Sequence, residues 1–152
     1  MAKQTFRVNG LKELGRALSE LPRATEKNVL RRYLKGRGQP IADAAAAAAT
    51  RRSGDLADSF AVSTKLSPRQ KGQHRKMFRN DRASVEMFIG AGPLPQAHLE
   101  EFGSVHNDPQ PMLRPAWDEG KMTLLDGIGD DLWKGIYKAA ARLAKKRAKA
   151  GL

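Results

Sequence analysis

Val29-Leu30-Arg31-Arg32-Tyr33-Leu34-Lys35-Gly36-Arg37-Gly38-Gln39-Pro40-Ile41-Ala42-Asp43-Ala44-Ala45-Ala46-Ala47-Ala48-Ala49 is the stretch on which the fold turns. Its apolar residues before Gly36 recur at helical spacing, and the alanines after Ile41 have the highest helix propensity of any residue. Between the halves stand Gly36, Gly38 and Pro40, where an interior glycine costs about 1 kcal/mol and an interior proline about 3. The sequence predicts one long helix bent near Gln39-Pro40, or two helices meeting there. A face of small alanines lets another helix approach closely, which suits a tight core and a crowded subunit interface equally.

Toward the N-terminus, Leu11, Leu14, Leu18 and Leu21 recur at spacings of three and four with Lys12, Glu13 and Arg16 between them. That pattern predicts an amphipathic helix entered through an Asn9-Gly10 turn and ended at Pro22. Toward the C-terminus, residues 53–59 read as a helix exit and a short capped turn. Residues 60–66 and 83–89 alternate apolar and polar at period two, as two strands of one antiparallel sheet would. Gly90-Ala91-Gly92-Pro93-Leu94-Pro95 breaks the second strand, and residues 108–115 deliver the chain to a last helix. The stripe of that helix is Leu125, Ile128, Leu132, Ile136, Ala140 and Leu143, softened by Gly127, Gly129 and Gly135. The expected fold is α+β: a small antiparallel β-sheet packed against a long N-terminal helix and a C-terminal helix. A single domain is expected over residues 1–152, with a basic loop at 65–82 and a basic helical tail at 132–152.

At 152 residues the chain has the common size of one domain, but only 6% of it is aromatic. The core is expected to be modest, rich in Ala and Leu, and dependent on partner subunits for part of its burial. No run of about 18 apolar residues is present, so no membrane partner is expected. The polar N-terminus lacks the hydrophobic region of a signal peptide, so synthesis and use without export are expected. With no cysteine, disulfides, thiol catalysis and thiolate zinc sites are all excluded.

The net charge of +12 is concentrated. Residues 65–82 carry seven Lys/Arg against the single acid Asp81, and residues 132–152 carry seven more with no acid. Arg69, Lys71, Arg75, Lys76 and Arg79 in the first segment, and Lys145, Lys146 and Arg147 in the second, are candidate contacts to DNA or to neighbouring subunits. Clustered bases neutralise phosphates without reading sequence. Only Met77 and Phe78 interrupt the first cluster, so no ladder of aromatics is available to stack single-stranded bases.

Catalytic constellations are not found. His98, Glu101, His106 and Asp108 make the nearest approach to a metal cluster, but glycines and prolines break up the segment and no matching ligand pair lies elsewhere. Gly90-Ala91-Gly92 is followed by prolines rather than a helix N-terminus, and Lys35-Gly36-Arg37-Gly38 lacks the Gly-Lys-Ser/Thr ending of a phosphate loop. Glu100-Glu101 and Asp130-Asp131 are adjacent pairs whose members point to different faces. The expectation is a protein that is not an enzyme and uses no cofactor or metal.

Four ordered pieces remain. Residues 11–22 form a helix ending in Leu21-Pro22. Ser53-Gly54-Asp55-Leu56-Ala57-Asp58-Ser59-Phe60 is similar to Thr-Gly-x-Leu-x-x-Ser-Ile, and His98-Leu99-Glu100-Glu101-Phe102-Gly103-Ser104 to His-x-x-Glu-Phe-Gly-Thr. Gln110-Pro111-Met112-Leu113-Arg114-Pro115-Ala116 is close to Gln-Pro-Phe-Leu-Arg-Pro-Ala. Through these the chain resembles the tail-component or neck family of long-tailed phages, typified by gene product 10 of phage Hong Kong 97. Gly38, Pro40 and the basic segment at 65–82 depart from the family pattern.

The resemblance implies a structural virion protein, made in the host cytoplasm, that forms a homo-oligomeric ring, hexamer or dodecamer, at the head-tail interface. Its partners would be itself, the head connector and the tail terminator or tube proteins, with non-specific contact to genomic DNA in the lumen. It marks Leu56, Ser59, His98, Glu101, Phe102, Gly103, Pro111, Leu113, Arg114 and Pro115 as residues of fold or interface. In that reading Phe102 plugs the sheet against the helices, Gly103 allows a turn, and Arg114 anchors the last helix by pairing with a carboxylate. Removal of residues 135–152 is expected to leave a folded chain that cannot join heads to tails. The competing reading is a small basic DNA-binding protein of packaging or nucleoid type; a toxin or nuclease-like enzyme lacks an acid, base or metal set.

Overall fold

The computed structural model describes residues 11–50, 54–80 and 85–151. The expected turn at Asn9-Gly10 and the expected strand start at Ala83 lie outside them. Among the described residues, six helices and two strands follow in the order α1 (Leu11–Ser19), α2 (Arg23–Ala48), α3 (Asp55–Ser59), β1 (Phe60–Ser63), α4 (Pro68–Met77), β2 (Phe88–Ala91), α5 (Pro95–Phe102) and α6 (Leu113–Lys149). The long helix, small antiparallel sheet and long final helix of the expected α+β fold are all present.

α2 runs unbroken through Pro40, so the alternative of two helices falls away. The proline removes one amide from the ladder and crowds the carbonyl four residues back, which belongs to Gly36. Both residues face solvent, where water can take up the freed carbonyl and where Gly36 has no side chain to obstruct the ring. Gly38 lies on the opposite, buried side. A Cβ there would stand 3.2 Å from Ile89 Cδ1 and 3.3 Å from Val62 Cγ2, so its absence seats the sheet directly on the helix.

α6 packs along α2 in the antiparallel sense, and the glycines of α6 make the contact. A Cβ at Gly120 would stand 2.6 Å from Ile41 Cγ1. One at Gly127 would collide with the Arg37 guanidinium, and one at Gly135 with the Tyr33 ring. These glycines therefore admit three side chains of α2, which outweighs the helix propensity they sacrifice. Arg37 crosses Gly127 and donates from Nε to Asp131 Oδ2 at 2.5 Å, clasping the two helices. The shared hydrogen bond raises the Arg37 pKa and lowers that of Asp131.

At one end Leu14, Leu18 and Leu21 pack with Leu132, Ile136 and Ala139, and Tyr33 and Leu143 border them. The stripe of α6 passes through Ala139 rather than the expected Ala140, which is exposed. This cluster argues against the expectation that the chain folds without residues 135–152, because Ile136 and Ala139 are buried in it. A chain ending at Lys134 should lose several kcal/mol through the packing of Ile136, Ala139 and Leu143 and be largely unfolded by circular dichroism. One ending at Ala144 should melt within about 5 °C of the full chain.

At the other end Phe60, Ile89, Ile41, Ala45, Ala116 and Leu113 form one cluster, and Leu56, Ala49 and Met112 form the next. β1 and β2 pair in the register Phe60↔Ala91, Ala61↔Gly90, Val62↔Ile89 and Ser63↔Phe88. The strands are shorter than expected. Ser63 Oγ accepts from the Lys65 amide at 3.0 Å and turns the chain out of the ladder. β2, expected to end at Ile89, continues through Gly90 and Ala91, and the Gly92 amide still reaches the Ser59 carbonyl at 3.1 Å.

The basic segment expected as a loop is largely helix. Ser67 Oγ accepts from the Gln70 amide, Gln70 Oε1 accepts from the Ser67 amide, and Pro68 occupies the first turn. This reciprocal cap starts α4. His74 alone among its side chains turns inward, its ring 5.2 Å edge-on from Phe88 and 4.8 Å from Phe78, with Nε2 3.4 Å from Glu86 Oε1. α4 thus touches the face of the sheet opposite α2 through the His74–Phe88 contact.

Candidate functional site

The motif residues converge where α5 hands over to α6. α5 stops at Gly103, whose φ of +78° is a conformation that side chains rarely adopt. A Cβ there would also come within 3.0 Å of the Pro109 ring nitrogen. Ser104 and Asn107 close a turn, and the Gln110 amide donates to the Glu100 carbonyl at 2.7 Å. The returning strand of chain is thereby fastened beside α5, with Met112 buried beneath it.

Glu101 then supplies the cap of α6 from a different helix. Its Oε2 accepts from the amides of Met112 at 2.7 Å and Leu113 at 2.9 Å, and its Oε1 accepts from Arg114 at 3.0 Å. A helix begins with four amides that have no intrahelical partner. Here three are taken by one carboxylate, and the fourth position is Pro115, which has no amide to satisfy. The negative charge also faces the positive end of the α6 dipole. Burial pushes the Glu101 pKa up, but the three amide bonds and the Arg114 charge outweigh it and hold the pKa below the ordinary value.

This arrangement corrects two expected roles. Phe102 does not plug the sheet: it is 58% exposed, with the Arg114 guanidinium 5.6 Å from its ring centre and the His98 ring 5.0 Å away. Arg114 does not fix α6 by pairing with a carboxylate; the Glu101 carboxylate holds the Arg114 backbone, and the guanidinium stacks on Phe102. His98 packs on the Phe102 ring, and Glu101 accepts the three amides. Among the described residues no group of three or more His, Asp or Glu could hold a metal ion.

Of the other marked residues, Leu56 is 4% exposed in the Ala49–Met112 cluster, and the Ser59 hydroxyl donates to the Leu56 carbonyl at 2.7 Å. Leu113 borders the Ile41 cluster, and Pro111 lies exposed before the helix. The structure adds three exposed apolar side chains that the sequence reading passed over. Leu99 is 49% exposed, Val105 96% and Trp117 45%. Trp117 follows Arg114 by three positions on α6, so the two are neighbours on the helix surface. Phe102, Arg114 and Trp117 consequently share one corner, braced by the Glu101 cap.

The candidate charge contacts fall into two separate places. Arg69, Lys71, Arg75, Lys76 and Arg79 are exposed on and just after α4, above the sheet, and Lys145, Lys146 and Arg147 are exposed at the last turns of α6, beyond α1. No described helix is long and apolar enough to cross a membrane.

The chain matches the model of a family described as "Bacteriophage HK97-gp10, putative tail-component" over residues 12–103. That span takes in the second motif piece whole and all but the outermost residue of the first and third, and it ends before the Gln110–Ala116 piece. No curated protein and no solved structure matches.

Proposed function

The chain belongs to the HK97-gp10-like family of phage tail components, and from that premise we propose that it is a non-enzymatic virion subunit that assembles into a ring at the head-tail interface. The ring, of six or twelve copies, joins the head connector to the terminator or tube proteins of the tail. The whole chain acts as one unit in this reading. Leu56, Ser59, Glu101, Gly103, Pro111, Leu113 and Pro115 hold its fold, and His98, Phe102 and Arg114 present its contact surface.

The observation that carries the proposal is the braced corner of α5 and α6. Exposed aromatic and Arg side chains on a rigid support are the usual anchors of protein interfaces. A ring needs two unlike patches that meet on successive subunits. The apolar corner is one; the exposed alanine face of α2 at Ala44, Ala47 and Ala48 is suited to be the other.

Replacing Phe102 and Trp117 together by Ser should leave the melting curve nearly unchanged and weaken subunit association by about 30-fold or more, since an interface anchor contributes 2 kcal/mol or more. Native mass measurements, alone and after mixing with heads or tails, read the outcome. A wild-type chain that stays monomeric under all three conditions would remove the ring from the account.

A further inference from the structure

We propose that the groove between the amino-terminal half of α2 and the carboxy-terminal part of α6 is a binding site for the phosphate backbone of duplex DNA. Its walls carry Arg32, Lys138, Arg142 and Lys146, with Asn28 and Tyr33 beside them. The three α6 bases follow one another at intervals of four residues and so form a single row, rising about 6 Å per step. Asn28 and Arg32, also four apart, form the facing row on α2. All four bases are exposed, and no described carboxylate is paired with any of them.

Charge along α6 selects the occupant. Its acids, Asp118, Glu119, Asp126, Asp130 and Asp131, all precede Lys134, and nothing acidic follows. A polyanion is therefore attracted to this end of the helix and repelled from the other. The helices are held in place by the Leu14–Leu18–Leu132–Ile136 cluster beneath the groove, so the row is set before any ligand arrives. The bases of α4 differ: Arg69, Lys71, Arg75 and Lys76 point around a ten-residue helix that buries none of its residues. Of the four only Arg69 lines a groove, the one toward α5, where no second Lys or Arg joins it. An anionic partner that is a regular rod with closely spaced phosphates fits a rigid row of bases better than an acidic peptide does.

This site goes beyond the joining role and does not depend on it. The experiment compares the full chain with two quadruple variants of identical net charge. One is Arg32→Gln/Lys138→Gln/Arg142→Gln/Lys146→Gln, and the other is Arg69→Gln/Lys71→Gln/Arg75→Gln/Lys76→Gln. Fluorescence anisotropy follows a labelled random-sequence duplex at about 50 and 200 mM salt, after circular dichroism has verified each fold. Wild type should bind with a log–log salt slope of about −3 to −4, as four neutralised phosphates require. The groove variant should lose about tenfold or more at low salt, and the α4 variant about threefold or less. Absence of binding at low salt, equal losses in the two variants, or equal competition by polyglutamate would each overturn the proposal. Binding by a chain that never forms rings would sustain it while removing the ring, so the two readings fail separately.

Discussion

Glu101→Ala should destabilise the protein by about 2–3 kcal/mol, because it orphans the three amides that open α6 and removes a charge from the positive end of a long helix. For a chain of this length that is a fall of about 5–10 °C in the thermal midpoint. Glu101→Gln separates the contributions, since the amide keeps one accepting oxygen and loses the charge, and its cost should be about half as large. The pH dependence fixes the sign. Glu101 is held below its ordinary pKa in the folded chain, so its contribution is complete above the unfolded value of about 4.3 and is lost as pH falls through the lower folded value. Urea melts should therefore show the gap between wild type and Glu101→Gln constant from pH 7 to 5 and closing below about pH 4. A gap independent of pH would mean that the carboxylate charge plays no part in the cap.

The second large effect concerns two glycines of one helix that respond oppositely. Gly120→Val should cost about 3 kcal/mol or more. The new Cβ would stand 2.6 Å from Cγ1 of Ile41, a side chain only 3% exposed and packed among Ala45 and Ala116. A β-branched neighbour held in one rotamer cannot give way cheaply. Gly129 has open space around its Cβ position, so Gly129→Ala should stabilise by about 0.5–1 kcal/mol through helix propensity alone. Denaturant midpoints of the two variants test the pair. Stabilisation by both would show that α6 does not lean on α2 at Gly120.

These effects mark what was legible in the residues and what was not. Regular spacing revealed α1 and its buried leucines, because a helix that hides one face prints that face into its sequence. The strand parity was legible as well, though not the strand ends, which depend on Ser63 bending the chain and on Gly90 continuing the ladder. α4 carried a local signal in Ser67-Pro68-x-Gln70 that its high charge obscured. The role of Glu101 had no local signal at all. A carboxylate that caps amides eleven to thirteen residues away is a property of the folded chain, and the adjacent Glu100 looks no different in sequence. Gly120, Gly127 and Gly135 were visible as breaks in propensity, but nothing in the sequence says which side chain each one receives.

The packing of α6 on α2 has a mechanical consequence. Ile41, Arg37 and Tyr33 are spaced four and four along one helix, while the glycines that receive them are spaced seven and eight along the other. The unequal spans are bridged by the reach of the long Arg37 and Tyr33 side chains, so each of the three contacts belongs to this setting of the two helices. Sliding α6 by a single turn would set Ile41 against Ala116 or Leu124, with no glycine to receive it. Sliding of the two helices would therefore give up these seats. The basic end of α6 and the α5 corner, about 55 Å apart, are thus tied to one another through a single helix seated on α2 at three separate points.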